Sequence, residues 1–530
     1  GGLFVAPSMD PALASVALPL EDAAIGARTV RVAGIAILIG VAAGFVAEAL
    51  LRLIGLITSA VFFQTFSTEL QSPALAERGV WMIAVPVVGA LIIGLMARFG
   101  SAAIRGHGIP EVMEKVLYGE SRIPTRVMFL KPLSAAIAIG TGGPFGAEGP
   151  IIATGGALGS TVGQILRITA DERKTLLAAG AAAGMAATFG SPVSAVLLAI
   201  ELLLFEYRAR SIIPVALAAA AATSVRMILV GPDPVFAMPP ITQPGGAALA
   251  SYVVLGALIG VAAAGTTRAV YAIEDAFERL PIHWMWWPAL GAIVVGVIGY
   301  YDPRTLSVGY EWIEQILSGE ITGMALLLFI ALKFVSWSVY LGSGTSGGTL
   351  APLFIIGGGL GVALGGAADS LWPGLGIDVS VAGLVGMAAI FAGASHALLA
   401  SVVFAFETTR QPLGLLPLLA GCSAAYLVML LLMRNSIMTE KLARRGTSIR
   451  TEYSVDFLSQ VLVGDAMSRD PITVDVDRSL KDVRAWLRAG AGGATHQGSR
   501  SSMATAQWSA WSRAVTCSAP SRTRRPSGMS

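Results

Sequence analysis

GTGGPFGAEGPIIATGGALG, Gly140 to Gly159, decides how this chain is read, because GSGTSGGTLAPLFIIGGGLG, Gly342 to Gly361, repeats its pattern. Gly140 pairs with Gly342, Pro150 with Pro352, Gly155 with Gly357 and Leu158 with Leu360, each pair 202 positions apart. The same spacing links Gly184 with Gly386, Met185 with Met387 and Phe189 with Phe391, so one register is expected to run on through the downstream helices. Apolar segments broken by Gly and Pro at corresponding places in two halves point to a duplicated membrane unit with a transport site between the repeats.

Composition supports that reading. The chain has 530 residues, of which 55% are hydrophobic and 13% charged, where a soluble domain carries about 25% charged residues. Apolar stretches such as Val30–Ile57, Val80–Met96, Thr175–Phe205, Ala247–Ala264, Met324–Trp337 and Leu413–Met433 fill most of the chain up to Met433. A spanning helix needs roughly 20 apolar residues, and several of these stretches are shorter or interrupted. Tilted, broken and re-entrant helices are therefore expected, with their irregular backbone buried in protein or lining a wet cavity. The fold class expected is an all-α polytopic membrane protein.

A net charge of +3 gives no argument for nucleic acid, and Cys422 and Cys517 supply neither a disulfide framework nor a thiolate metal site. The histidines His107, His283, His396 and His496 are scattered, so no metal site is expected. The segment before Val30 lacks the basic start and apolar run of a secretory signal.

The organisation expected is a soluble lead over 1–28, then a membrane body over 29–450 with repeats at about 29–230 and 247–433. Val230–Ala247, rich in Pro and Gly, joins them. The Lys/Arg cluster in MRNSIMTEKLARRG (Met433–Gly446) points to a cytoplasmic C-terminus at the cell membrane. Residues 451–497 have the alternation of a small α/β unit, including ITVDV and an amphipathic helix after Ser479. Residues 498–530 show no period and read as an irregular tail. The favoured explanation is a reading frame shifted by one base at Gly498, since a permitted back-translation gives a strand–turn–strand pattern around a DGDG turn; resequencing of the source DNA would decide it.

Chemistry concentrates in GHGIPEV (Gly106–Val112), GAEGP (Gly146–Pro150) and GGTLAP (Gly347–Pro352). In each, glycines precede an apolar run, and Pro110, Pro150 and Pro352 suit a first helical turn, where a missing N–H costs nothing. The unpaired N–H groups and helix dipoles of such starts attract anions, and glycine lets a bare backbone approach the ion. A divalent-cation path would want converging carboxylates, and these motifs carry only one or two.

These motifs, in this order on a duplicated membrane scaffold, resemble the CLC family of chloride channels and chloride/proton antiporters, whose patterns are GSGIP, GREGP and GIFAP. The similarity covers about Val30 to Arg445, and residues 451–497 resemble the opening of a CBS domain. The resemblance implies a homodimer of inverted repeats in a lipid bilayer, each subunit with its own pore, carrying chloride and, in the antiporters, protons. It places the anion at Gly106, His107, Gly108, Ile109, Pro110, Gly146, Ala147, Gly149, Pro150, Thr349 and Leu350, with Met438 at the position of a pore tyrosine. It makes Glu148 the gating carboxylate, an internal competitor for the anion that protonation releases. The plainer alternative is a carboxylate capping its helix, worth roughly 1 kcal/mol. No cofactor is implied; an adenine nucleotide at a truncated CBS segment is not expected.

The chain departs from the family pattern at named positions. His107 stands where the family has a serine hydroxyl; it can donate a ring N–H or offer its backbone N–H while the ring packs elsewhere. Ala147 removes an arginine beside the gate, and Thr349 and Leu350 replace Ile and Phe. Met438 has no O–H to give; a weaker inner site and a simply packed methionine are equally open readings. The family's proton-entry position falls on Leu202. Glu201 then serves as a proton-path residue or, with Glu407, in a structural pair, and Glu206 is an alternative proton entry. Glu111 and Glu114 read as a solvated face, and His396 as a satisfied interhelical histidine. An intramembrane enzyme is disfavoured, since no HExxH or Ser/His motif is present. Channel and antiporter both remain open.

Overall fold

The structure, a computed structural model, describes residues 26–166 and 168–444, together with 473–475, 479, 481–482, 485, 498–502 and 508–513. The N-terminal lead and most of 451–497 lie outside the described residues. Helices fill one unit, Ala24–Tyr453. The strands Thr473–Asp475, Gly498–Ser502 and Trp508–Arg513 belong to the other, with the first parallel to the second and the second antiparallel to the third. The latter two strands fall in the segment that read as irregular.

The first half of the helical unit runs α1 (Ala27–Thr58), α2 (Trp81–Leu95), α3 (Ile109–Tyr118), α4 (Thr125–Gly140), α5 (Glu148–Ile165), α6 (Ala170–Phe189), α7 (Pro192–Ala199) and α8 (Ala209–Leu229). The second runs α9 (Gly246–Glu278), α10 (Trp287–Tyr301), α11 (Tyr310–Leu317), α12 (Gly323–Gly342), α13 (Leu350–Leu371), α14 (Val379–Ser395), α15 (Leu398–Thr409) and α16 (Leu415–Leu432), with α17 (Glu440–Arg444) after it. Long, short, long and broken elements recur in the same order. Among the described residues, 8 helices are long and apolar enough to cross a membrane, including Ala27–Phe63, Gly246–Glu278 and Leu350–Leu371.

Small residues let these helices pack closely where lipid offers no hydrophobic drive. A Cβ on Gly40 of α1 would overlap the Ala218 carbonyl of α8, and one on Gly256 of α9 would overlap the Gly421 carbonyl of α16. These are mated pairs. Likewise α5 lies on α6 through Gly155 against Gly180, and α13 on α14 through Gly357 against Gly386.

That last pairing corrects the repeat register. Gly155 and Gly357 are 202 apart, but their partners Gly180 and Gly386 are 206 apart. The same 206 relates the left-handed caps Gly190 (φ 61°) and His396 (φ 61°). The stretch from Gly357 to Gly386 is longer than that from Gly155 to Gly180 by four residues. Four residues are close to one helical turn, so a slip of four preserves the face each glycine occupies. The match of Gly184 with Gly386 thus reflected a shared face, and Gly180 is the structural mate.

Candidate anion site

The three glycine motifs meet backbone to backbone. The Gly106 N–H donates to the Thr345 carbonyl at 2.9 Å, and the Gly348 N–H donates to the Gly146 carbonyl at 3.0 Å. Gly108 takes φ +96°, a left-handed conformation that favours glycine, and a Cβ there would stand 2.6 Å from the Gly149 carbonyl oxygen. A Cβ on Gly149 would in turn overlap the His107 carbonyl oxygen and lie 3.2 Å from the Gly348 Cα.

At this junction α3, α5 and α13 begin, at Ile109, Glu148 and Leu350, with Pro110, Pro150 and Pro352 in their first turns. Their first-turn N–H groups have no intrahelical acceptor, and their dipoles make the junction attractive to an anion. Ile109, Pro110, Ala147, Pro150, Thr349 and Leu350 are all buried. The Thr349 hydroxyl has no hydrogen-bond partner.

Glu148 is fully buried. Its side chain folds back over its own helix start: a Cβ on Gly146 would overlap the carboxylate, and one on Gly348 would sit 2.8 Å from Oε2. The carboxylate therefore lies between the second and third motifs. Tyr310 donates its O–H to Oε1 at 2.9 Å, while Oε2 has no hydrogen-bond partner. The sequence reading missed Tyr310. The signal was there, for SVGYEW places it directly after a glycine at the start of α11, as Ile109 follows Gly108 at the start of α3.

Two buried lysines brace the motif loops, and these too escaped the sequence reading. Lys131 Nζ donates to the carbonyls of Ile104 and Gly106 at 2.8 and 2.7 Å. Its mate Lys333 donates to those of Thr305 and Ser307 at 2.9 and 3.1 Å. A trans peptide holds C=O and N–H on opposite sides, so engaging the Gly106 carbonyl turns the His107 N–H away from Lys131. The His107 side chain is buried, and its Nδ1 has no partner.

Other expected residues fall elsewhere. Both oxygens of Glu201 accept backbone N–H bonds from Leu399 and Ala400 at 3.0 Å, capping α15. Glu407 does the same for α7 through Val193 at 3.0 Å and Ser194 at 2.8 Å. The exchange ties the two halves together and uses Glu201 as a cap. Glu206 accepts from the Ser211 hydroxyl at 2.6 Å and lies 3.6 Å from Lys174 Nζ. Met438 is buried in a turn whose Ile437 N–H bonds the Ala394 carbonyl, and whose Ile437 carbonyl accepts from Tyr271 at 2.8 Å.

Two side-chain readings are corrected. Glu111 is more than a solvated-face residue: it accepts from the Gly108 N–H at 2.9 Å and pairs with Lys441 at 3.0 Å, fastening α17 to the start of α3. His396 is not satisfied, for its Nε2 is buried without a partner and the ring packs edge-on against Tyr426. A cavity of about 530 Å³ reaches Gly106, lined by Arg105, Glu111, Glu114, Lys115, Glu274, Glu278, Lys441 and Arg444.

Comparison with known proteins fits this geometry. The profile of the voltage-gated chloride channel family matches residues 88–430, which hold every helix start at the junction. The chain belongs to that family. Among CLC relatives, the H(+)/Cl(−) exchange transporter ClcA of Vibrio campbellii is 32% identical over 374 residues, covering 69% of this chain and 80% of the relative. The putative chloride channel protein ClcB-like of Ralstonia nicotianae is 27% identical, covering 64% of this chain and 81% of the relative. A slow cyanobacterial Cl−/H+ antiporter shares the fold with a TM-score of 0.70 at 22% identity, covering 78% of this chain and 98% of the antiporter. A CLC-type fluoride/proton antiporter does so with a TM-score of 0.63. The fold is thus the CLC one, an all-α membrane body of two inverted repeats.

Proposed function

We propose that this CLC protein moves chloride across a cell membrane through the junction of α3, α5 and α13, with Glu148 as its gate. The single observation that carries this reading is a buried carboxylate lying where the starts of α5 and α13 meet. A negative group held there by an O–H and helix dipoles occupies the position an anion would take. The first-turn N–H groups and Gly106, His107, Gly108, Ile109, Pro110, Gly146, Ala147, Gly149, Pro150, Thr349 and Leu350 are proposed as the ion's surroundings. The cavity reaching Gly106 supports an aqueous approach from one side. We assign Glu201 to structure; Met438 is kept as a packed neighbour of the inner path.

Proton-coupled exchange is the second reading, favoured by relatives named as H(+)/Cl(−) exchangers. A protonated Glu148 gives up its charge and its claim on the anion position, so the same group can gate and carry a proton. Leu202 offers no carboxyl on the inner side, which leaves Glu206 or water as the proton's entry. A homodimer and a cytoplasmic C-terminus belong to the same proposal.

Purified protein in chloride-loaded liposomes tests both. Chloride efflux that drives proton uptake, lost in Glu148→Ala, establishes exchange. Efflux under valinomycin and K+ without proton movement establishes a channel. No chloride flux in either arm rejects the proposal.

A further inference from the structure

Tyr310 enters the site from the second repeat, at the first position of α11. It is the counterpart of Ile109: each follows a left-handed glycine, Gly309 at φ +75° and Gly108 at φ +96°. The first repeat thus brings an apolar side chain to the junction, and the second a hydroxyl. The ring is pinned by edge contacts to Phe189 and Phe236, with centroids 5.7 and 6.0 Å away. Its 2.9 Å bond to Glu148 Oε1 thus comes from a donor whose ring is held between aromatic neighbours. Tyr310 also keeps part of its surface open, whereas Glu148 is fully buried.

From these observations we propose that Tyr310 is an anion ligand, passing its O–H from the Glu148 carboxylate to the halide that displaces it. A donor held at the place of a negative oxygen serves an incoming halide equally well, since both are anionic acceptors of similar demand. The exchange then breaks no hydrogen bond that it does not remake. The hydroxyl also favours chloride over larger, weakly hydrogen-bonding anions. This inference rests on the reading of Glu148 as the gate.

The test is chloride titration by calorimetry on full-length protein, comparing Glu148→Ala with the double variant Glu148→Ala/Tyr310→Phe. Removing the carboxylate vacates the position, and removing the O–H then weakens chloride binding about tenfold. The double variant also shifts the thiocyanate-to-chloride preference toward thiocyanate, which a merely structural ring would leave alone. Equal chloride affinity in the two proteins, with gel-filtration profiles unchanged, overturns the proposal. Should the double variant not fold, anomalous diffraction from bromide-soaked Glu148→Ala crystals decides: bromide within hydrogen-bonding reach of Tyr310 supports it, and bromide bound only elsewhere overturns it. A wild-type protein without chloride flux would instead sink the transport reading itself.

Discussion

Replacing Glu148 by alanine removes a group that fills its own binding position, so its effect differs from that of losing an ordinary buried acid. Chloride passage is expected to persist or rise in Glu148→Ala, while any coupled proton movement disappears; simultaneous chloride-electrode and pH-electrode traces check this. A fall in chloride passage to background would assign Glu148 a structural role instead. Lys131 makes the opposite case. Its ammonium holds two carbonyls of the loop that presents His107, and each bond to a charged donor contributes about 1.5–3 kcal/mol. Lys131→Met should lower the melting temperature in detergent and reduce chloride flux together. Gly149→Ala offers a steric test, for its methyl would collide with the His107 carbonyl. Since Gly149 lies where the first, second and third motifs touch, flux should be abolished without loss of the helical circular dichroism signal.

At the scale of elements, the reciprocal caps between α7 and α15 separate two meanings of Glu201. If it is a cap, Glu201→Gln lowers thermal stability by about 1–2 kcal/mol and leaves the chloride-to-proton ratio unaltered. A lost proton flux at unchanged melting temperature would make it a proton carrier. The helix starts could be seen in the sequence because Gly and Pro mark them, and chemistry requires both: glycine for backbone approach, proline where no N–H is needed. The register of α14 could not, because a four-residue slip on a helix conserves the face and with it the glycine pattern. Tyr310 and Lys131 were hidden for another reason. Each acts on a segment distant in sequence, and neither a lone tyrosine nor a lone lysine in an apolar run announces which backbone it will meet. Glu111 read as solvated because Lys441, its partner, lies 330 residues away.

At the scale of the molecule, every group assigned to the anion path belongs to the unit Ala24–Tyr453. A chain ending at Tyr453 is accordingly expected to keep chloride flux in liposomes within about twofold of the full chain; loss of flux with an intact gel-filtration profile would show that the later residues take part. The crossed caps carry a consequence for biosynthesis. When α7 leaves the ribosome, the carboxylate that satisfies its first N–H groups is still more than two hundred residues short of being made. The nascent first half must therefore wait in the bilayer with a bare helix start, shielded by water, lipid headgroups or the insertion machinery. These last cap bonds are tied to the birth of α15, so a stalled or truncated translation product lacks them.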